Sequence, residues 1–543
     1  MAVYCTWGIE IQFAGTAGAW TDVTHDVVTA DTVSVEYGIN DNGPTNRVAT
    51  TGKLSFTLDN SENNSYSLPG LYSPGYASCR SGFTAGAPVR IWFQYDGIKR
   101  YRFYGRIAKD GIKPSPGIYG SRRTEVTVLD WMNQAGTHEL DLPTYTTNKR
   151  IDEVVPLIVA NMPLAPLATD YHTGQDTFVS IFDSVGAKTR ALSEFQKLAL
   201  SEYGYIYVKH GKAGQEVLVV EDRNAKITNN TLSQFTAPVG YLQKDDGGYL
   251  LTDDGFKIVL EMGEIDASFS NTGIDPEISL GKHFANQVTC TTYPRKYDTA
   301  ATVLFDQPSY YTISAGATIT GYKCNYRDPL GGAWHVAGKE MISPAATTDY
   351  LMNSDSNGSA TDLTANLAVT AAYGANAVEY TLVNSATVTG YITKLQARGK
   401  GIYLYDPIDY TVDDTASKTD TGSQTLSIEM SYQDQALISR TIAAGELNNL
   451  KTMRKELDKW SFYANRDSTH MMAFLDIDIG DRVHFVETQT ALDEDRFIDA
   501  IEFEITDGNV IKAGWKTRAP MTYGVWMVGI TGATELGVTT KLG

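Results

Sequence analysis

Cysteine is scarce in this sequence: Cys5, Cys79, Cys290 and Cys324 are the four among 543 residues. Their wide scatter excludes the paired spacing of a zinc site and the density of a disulfide scaffold. It predicts free, buried thiols in a protein made in a reducing cytoplasm. Long apolar runs are missing as well. None approaches the roughly 18 residues of a membrane-spanning helix, so no stable membrane insertion is expected. The opening Met-Ala-Val-Tyr-Cys-Thr-Trp lacks a basic stretch leading into an apolar one, which predicts no secretory leader. Basic residues are outnumbered, Lys+Arg 45 against Asp+Glu 64, for a formal charge of -19. Most of such a chain's field repels phosphate, which argues against a protein that holds nucleic acid by counterion release.

What is present is ordinary globular material, 42% hydrophobic and 20% charged, which excludes disorder. The length exceeds what one core normally serves and predicts about three to four domains. With Tyr 32 and Gly 48, a β-rich protein with many tight turns is expected.

Residues 1–142 read as strands. Thr32–Tyr37 and Lys53–Leu58 alternate with period two, and Asn40-Asp41-Asn42-Gly43-Pro44 between them is turn chemistry. Val89–Phe93, Tyr101–Ile107 and Glu125–Asp130 follow closely, which favours a small barrel or sandwich. Over 143–230 the period changes. Ile151, Val154, Val155 and Ile158 predict a short helix that Pro156 kinks or shortens. Leu192, Phe195, Leu198 and Ala199 predict a second, with Thr189 as N-cap and Gly204 as its stop. Tyr205–Val208 and Glu216–Val220 form a hairpin through Gly211 and Gly214, completing a small α+β unit.

In 231–296, Asp245-Asp246-Gly247 and Asp253-Asp254-Gly255 predict tight hairpins. The block 297–430 contains Val378–Val383 and Gly401–Tyr405 and reads as a sandwich-like elaboration with long loops. In 431–543 a helix is expected from about Gln435 to Leu457, weakened by Gly445. Strands follow at Trp460–Tyr463, Asp481–Val486, Phe497–Ile505 and Val525–Val528.

Motifs for chemistry are thin. His25, His138, His172, His210, His283, His335, His470 and His484 never fall three to five residues apart, so the helical zinc pattern is absent. Asn353–Gly358 starts like a calcium loop, but Thr364 stands where a bidentate Glu belongs, and an exposed turn is expected. There is no nucleophile elbow and no phosphate loop. Asp476, Asp478 and Asp481 could suggest a glycosidase pair, yet Leu475–Ile479 also reads as an alternating strand entering a Gly480-Asp481 turn. No catalytic, cofactor-binding or metal residue is therefore assigned. Between Asn465 and Gly508, twelve acids (Asp467, Asp476, Asp478, Asp481, Glu487, Asp493, Glu494, Asp495, Asp499, Glu502, Glu504, Asp507) face only Arg466, Arg482 and Arg496. That bias reads as a solvated face or a surface meant not to hold a polyanion.

Several stretches together resemble the tail hub proteins of tailed bacteriophages, the baseplate hub and tail-tip minor tail family. They are Asn60 and Leu68–Pro74, Gly86–Ile91, Phe103–Ile107, Val126–Met132, Ala191-Leu192, Leu198-Ala199 and Glu202–Tyr207. Further along come Asn286–Val288, Tyr326–Pro329, Leu395–Gly399, Ala464–Asp467, Ile477–Val483 and Glu535–Gly537.

The resemblance implies a mainly β, α+β multidomain chain with tail-tube-like β-barrels, small α+β domains and a β-sandwich-like insertion. On that reading 1–142 is a hub barrel and 143–230 a small α+β domain. Residues 231–296 begin the second barrel, 297–430 are a decoration domain, and 431–543 complete the hub. It further implies a non-enzymatic homotrimer at the virion's tail tip or baseplate, made in the host cytoplasm and carrying no cofactor. Its expected partners are distal tail and tube proteins, a tape measure protein and a central fibre or tip protein. DNA would pass through its channel without specific binding, along an acidic wall. Two alternatives are a cell-wall hydrolase and a receptor- or carbohydrate-binding protein using Tyr310-Tyr311 and Tyr403–Tyr405.

Overall fold

A computed structural model describes residues 3–13, 18–117, 122–141, 143–183, 189–226, 267–274 and 276–521, with the backbone of 240–241 and 259–260. The expected Asp-Asp-Gly hairpins and the Val525–Val528 strand lie outside the described residues. Strands dominate, with six helices among the described residues.

The N-terminal strands are β1 (Thr6–Ile11), β2 (Thr21–Asp22), β3 (Val33–Gly38), β4 (Thr50–Asp59), β5 (Pro88–Tyr95), β6 (Ile98–Ser115) and β7 (Arg123–Leu129). The period-two alternation seen in the sequence becomes one buried face: Val33, Val35, Leu54, Phe56, Leu58, Val126 and Val128 are all buried. These strands belong to a thirteen-stranded sheet whose other part comes from far along the chain. Its order is Glu277–Leu280, Lys455–Tyr463, Val510–Arg518, Leu492–Thr506, β3, β4, β7, β6, β5, β1, β2. Arg482–Glu487 pairs with Leu492–Thr506, and Ala267–Ser270 pairs in parallel with Arg482–Glu487. Closed barrels were expected. Among the described residues the hydrogen-bonded path is instead open, from Glu277–Leu280 to β2.

α1 (Met132–Thr137) follows β7, and α2 (Ile151–Asn161) packs on α3 (Ala191–Glu202), which lies against a three-stranded sheet. That sheet comprises β8 (Ala168–Tyr171), β10 (Gln215–Glu221) and β9 (Tyr205–Gly211), in that order. Pro156 does not stop α2, which runs five residues beyond it; Ile151, Val154, Val155 and Ile158 bury its apolar stripe. α3 ends where the glycine stop places it, with Tyr203 as C-cap and Gly204 next, but the left-handed residue is not the glycine. Tyr203 itself takes the left-handed backbone at φ 63, its ring held under the Arg47 guanidinium 3.3 Å away. Its N-cap is Arg190 rather than Thr189.

Residues 304–403 have their own core, in which Leu304, Val378, Tyr380, Leu382, Ile392 and Leu395 are central. The fifteen-residue strand Gly390–Leu404 organises it, pairing with five others. Ile408–Asp413, Gln287–Thr292 and Thr425–Met430 form a separate sheet, with α4 (Thr415–Thr421) between the last two strands in sequence. That sheet packs under α5 (Ala436–Leu450) and its residues Val288, Cys290, Ile428 and Met430 join the main core.

Two further sequence expectations fail locally. α5 stops at Leu450, and Leu457 lies in the next strand opposite Ile278. Met453, inside the range expected to be helical, lies beyond its end and is exposed. Leu475–Ile479 is not a strand either: α6 (Ser468–Asp476) covers its start. The Asp467 side chain caps α6 by accepting from His470 N at 2.9 Å, while Met471, Phe474 and Leu475 point inward.

Candidate functional site

Two meanders of the large sheet are built alike. β5–β6–β7 and Arg482–Glu487, Leu492–Thr506, Val510–Arg518 are each three consecutive antiparallel strands. Each follows a glycine with positive φ, Gly86 at 83 and Gly480 at 90, and each has a fully buried valine three residues later, Val89 and Val483. Both middle strands are long, 18 and 15 residues, and both slip register, between Ile107 and Ile112 and between Ile498 and Ala500. A bulge of that kind bends a strand and lets it serve neighbours in two directions. The second meander joins the N-terminal strands directly, because Ala500–Ile505 pairs with β3.

Behind this joint lies a buried ionic cluster. Asp499, at the bulge, accepts from Lys226 Nζ and Arg518 Nε, both at 2.6 Å, and all three side chains are buried. Arg518 also donates to the carbonyls of Gly43 at 3.0 Å and Asn46 at 2.8 Å. Next to it, buried Arg47 donates to Pro44 O at 2.9 Å and Tyr203 O at 2.7 Å, and lies 3.8 Å from Glu446 of α5. Burial alone would raise the Asp499 carboxyl, but Arg518 and Lys226 hold it below the usual range. Glu446 is raised by its burial, against the pull of Arg47. One cluster thus ties the 43–47 turn, the hairpin's exit at Lys226, α5 and the strand Val510–Arg518.

The acidic bias of residues 465–508 mostly disappears in this geometry. Asp476 meets Arg100 at 3.0 Å and Lys212 at 3.1 Å, and Asp478 accepts from Tyr37 at 3.2 Å. Asp481 accepts from Asp478 N at 2.7 Å. Asp495 is held by Arg482 and His484, Asp493 lies 3.1 Å from His484, Glu494 accepts from Arg496, and Glu502 pairs with Lys459. Arg100, Lys212, Lys226, Lys459 and Arg518 all lie outside that sequence window, so a local reading could not find them. Glu504 and Asp507 remain exposed.

The other candidates are dispersed. His210 is buried, accepts from Tyr104 N at 3.2 Å, and is pushed down to about 3 by burial and then Arg102. His283 contacts Asn42 at 2.8 Å. Among the described residues no group of three or more His, Cys, Asp and Glu is placed to hold a metal. Asn353–Gly358 is a turn whose Asp355 carboxylate accepts from Ser359 and Ala360 amides. Tyr403 is a core residue bound to Asp298 at 2.7 Å, whereas Tyr310 is exposed. The cysteines are free; Cys5, Cys290 and Cys324 are buried and Cys79 partly so.

Sequence reasoning missed two exposed apolar sites. At the sheet's open edge, Leu280 is 69% exposed and Met453 51%, and the two are close, with Met453 lying against Gly281. On the 304–403 unit, Leu330 (83%) and Trp334 (60%) stand on a loop fixed by Asp328, which accepts from the amides of Leu330, Gly332 and Ala333 at 2.8 to 3.0 Å.

No family model matches the sequence, and no curated protein matches it. Solved structures do. The tail protein from Neisseria meningitidis MC58 is 8% identical, with 96% of this chain and 98% of that one covered and a TM-score of 0.44. A 43 kDa tail protein of prophage MuSo2 from Shewanella oneidensis is 10% identical over 96% and 100%, TM-score 0.44. Prophage tail protein gp18 from Listeria monocytogenes EGD-e is 7% identical over 94% of each chain, TM-score 0.37. This chain is similar to phage and prophage tail proteins along nearly its whole length, at overlaps too loose to carry function.

Proposed function

We propose that this chain is a structural protein of a phage-type tail, a hub whose copies close around an open axis. One observation carries the reading: two like meanders, far apart in sequence, share one sheet that is open at both edges within the described residues. An edge strand that is unpaired among the described residues and carries exposed Leu280, with Met453 beside its end, is a liability in a solitary molecule and an asset in one that meets its own copy. Three copies would bring six meanders together, adapting a six-fold tube to a three-fold tip.

In that setting the hub joins distal tail and tube proteins to a tape measure protein and a central fibre or tip protein. DNA leaves along its channel without specific binding, and the chain performs no catalysis. Native mass measurement with single-particle images of purified protein tests this: three copies ringing an axis support it, and a stable single copy overturns it.

A second reading, receptor or glycan binding, is favoured by Leu330 and Trp334 on their braced loop. Aromatic faces of this kind stack on apolar sugar faces. Host-cell adsorption that Trp334→Ala abolishes supports it; unchanged adsorption contradicts it.

A further inference from the structure

The β9–β10 hairpin folds back on the N-terminal sheet, and at the meeting point lies a cleft of about 330 Å³. Two acidic residues line this cleft: Asp130, just after β7, and Glu216, on β10. Both residues are buried, 4% and 3% exposed. Asp130 is fixed in place. It accepts from Met132 N at 3.0 Å, and it lies so close to β4 that a Cβ on Gly52 would sit 2.4 Å from its Oδ2. Glu216 is set by the β9–β10 ladder, where it faces His210 across the hairpin.

Nearby cations offset the burial of the pair only in part. From β6, Arg106 acts on Glu216 through space, but its guanidinium donates to Gly86 O at 3.2 Å. Lys109 lies on the cleft wall, and Tyr104, also on β6, is uncharged with its phenol raised by burial. Arg90 on β5 is committed to Glu10 at 2.6 Å. On β9, His210 is the cross-strand neighbour of Glu216 and stays neutral. α1 contributes only the uncharged Asn133 and Gln134.

We propose that this seam is a proton-controlled joint: closed while the two carboxyls are uncharged, and loosened when both ionise and repel each other in the same buried cleft. Burial pushes Asp130 up to about 7, and burial together with Asp130's charge pushes Glu216 up to about 8. Because the folded values are raised, the docking free energy is complete below the ordinary carboxylate range. The two groups' contribution falls as pH rises through the ordinary carboxylate range and levels off once pH passes about 8.

Hydrogen exchange on the full chain, corrected for intrinsic rate, tests this at pH 5.5 and 8.5. Amides of β9, β10 and the first half of β6 are expected to be about tenfold better protected at the lower pH. Amides in the separate 304–403 core serve as reference and should not change. Asp130→Asn with Glu216→Gln should remove the difference. If that double variant does not fold, Arg106→Gln serves instead: losing the cation that favours ionised Glu216 should move the transition to higher pH. Equal protection at both pH values in the wild type overturns the proposal. So does an unchanged pH dependence in the double variant, or an Arg106→Gln transition that does not move.

Discussion

Asp499 and Arg518 sit on neighbouring strands with their side chains 2.6 Å apart, and the carboxylate shares its other oxygen with Lys226 at the same distance. Two cations therefore depend on one buried anion. Asp499→Asn should cost about 3–5 kcal/mol, since it leaves both uncompensated, whereas replacing Asp499 and Arg518 together by apolar residues leaves only Lys226 unpaired and should cost less than the two single changes summed. Denaturant midpoints in a double-mutant cycle check this. Additive costs would contradict it.

The same carboxylate sets an acid limit. Its folded pKa is depressed below the usual value, although burial opposes that. The stabilisation it provides is therefore present above the ordinary Asp range near pH 4 and lost as pH falls through the depressed value. Thermal midpoints should drop more steeply below pH 4 in the wild type than in Asp499→Asn. Parallel curves would dispose of the assignment.

Gly480 and Gly86 occupy like positions ahead of the two meanders but differ in surroundings. A Cβ on Gly480 would lie 2.6 Å from Tyr207 Oη, while one on Gly86 meets nothing within 4 Å. Gly86→Ala should cost about 1 kcal/mol for the left-handed backbone alone. Gly480→Ala should cost about 1–2 kcal/mol more, because the buried tyrosine must move. Equal losses in unfolding free energy would show that Tyr207 yields freely.

Much of the sheet was legible because half-buried strands write their geometry as a period of two, as Val33 to Gly38 and Arg123 to Leu129 do. α6 also left a signal that local alternation hid: the Asp467 cap followed by apolar residues at Met471, Phe474 and Leu475. What could not be read was contact between distant segments. Nothing near Asp499 in sequence announces Lys226, and nothing near Asp476 announces Arg100. The join between β3 and Ala500–Ile505 is equally silent, since both strands alternate in the same way whatever their neighbour.

The open sheet edge makes a surface prediction. Leu280→Glu and Met453→Glu replace exposed residues, so they should leave monomer stability within about 0.5 kcal/mol. They should nevertheless reduce self-association sharply, by placing charge where an edge meets its counterpart. Sedimentation at matched concentrations reads this directly. Full assembly of both variants would move the interface elsewhere.

The central claim is that copies of this chain surround an open passage. Native mass spectrometry of the purified full-length protein, paired with electron-microscopic class averages, addresses it most directly. A three-copy mass and end-on views with a hole at the centre are expected. A one-copy mass at micromolar concentration, with solid compact views, would contradict it.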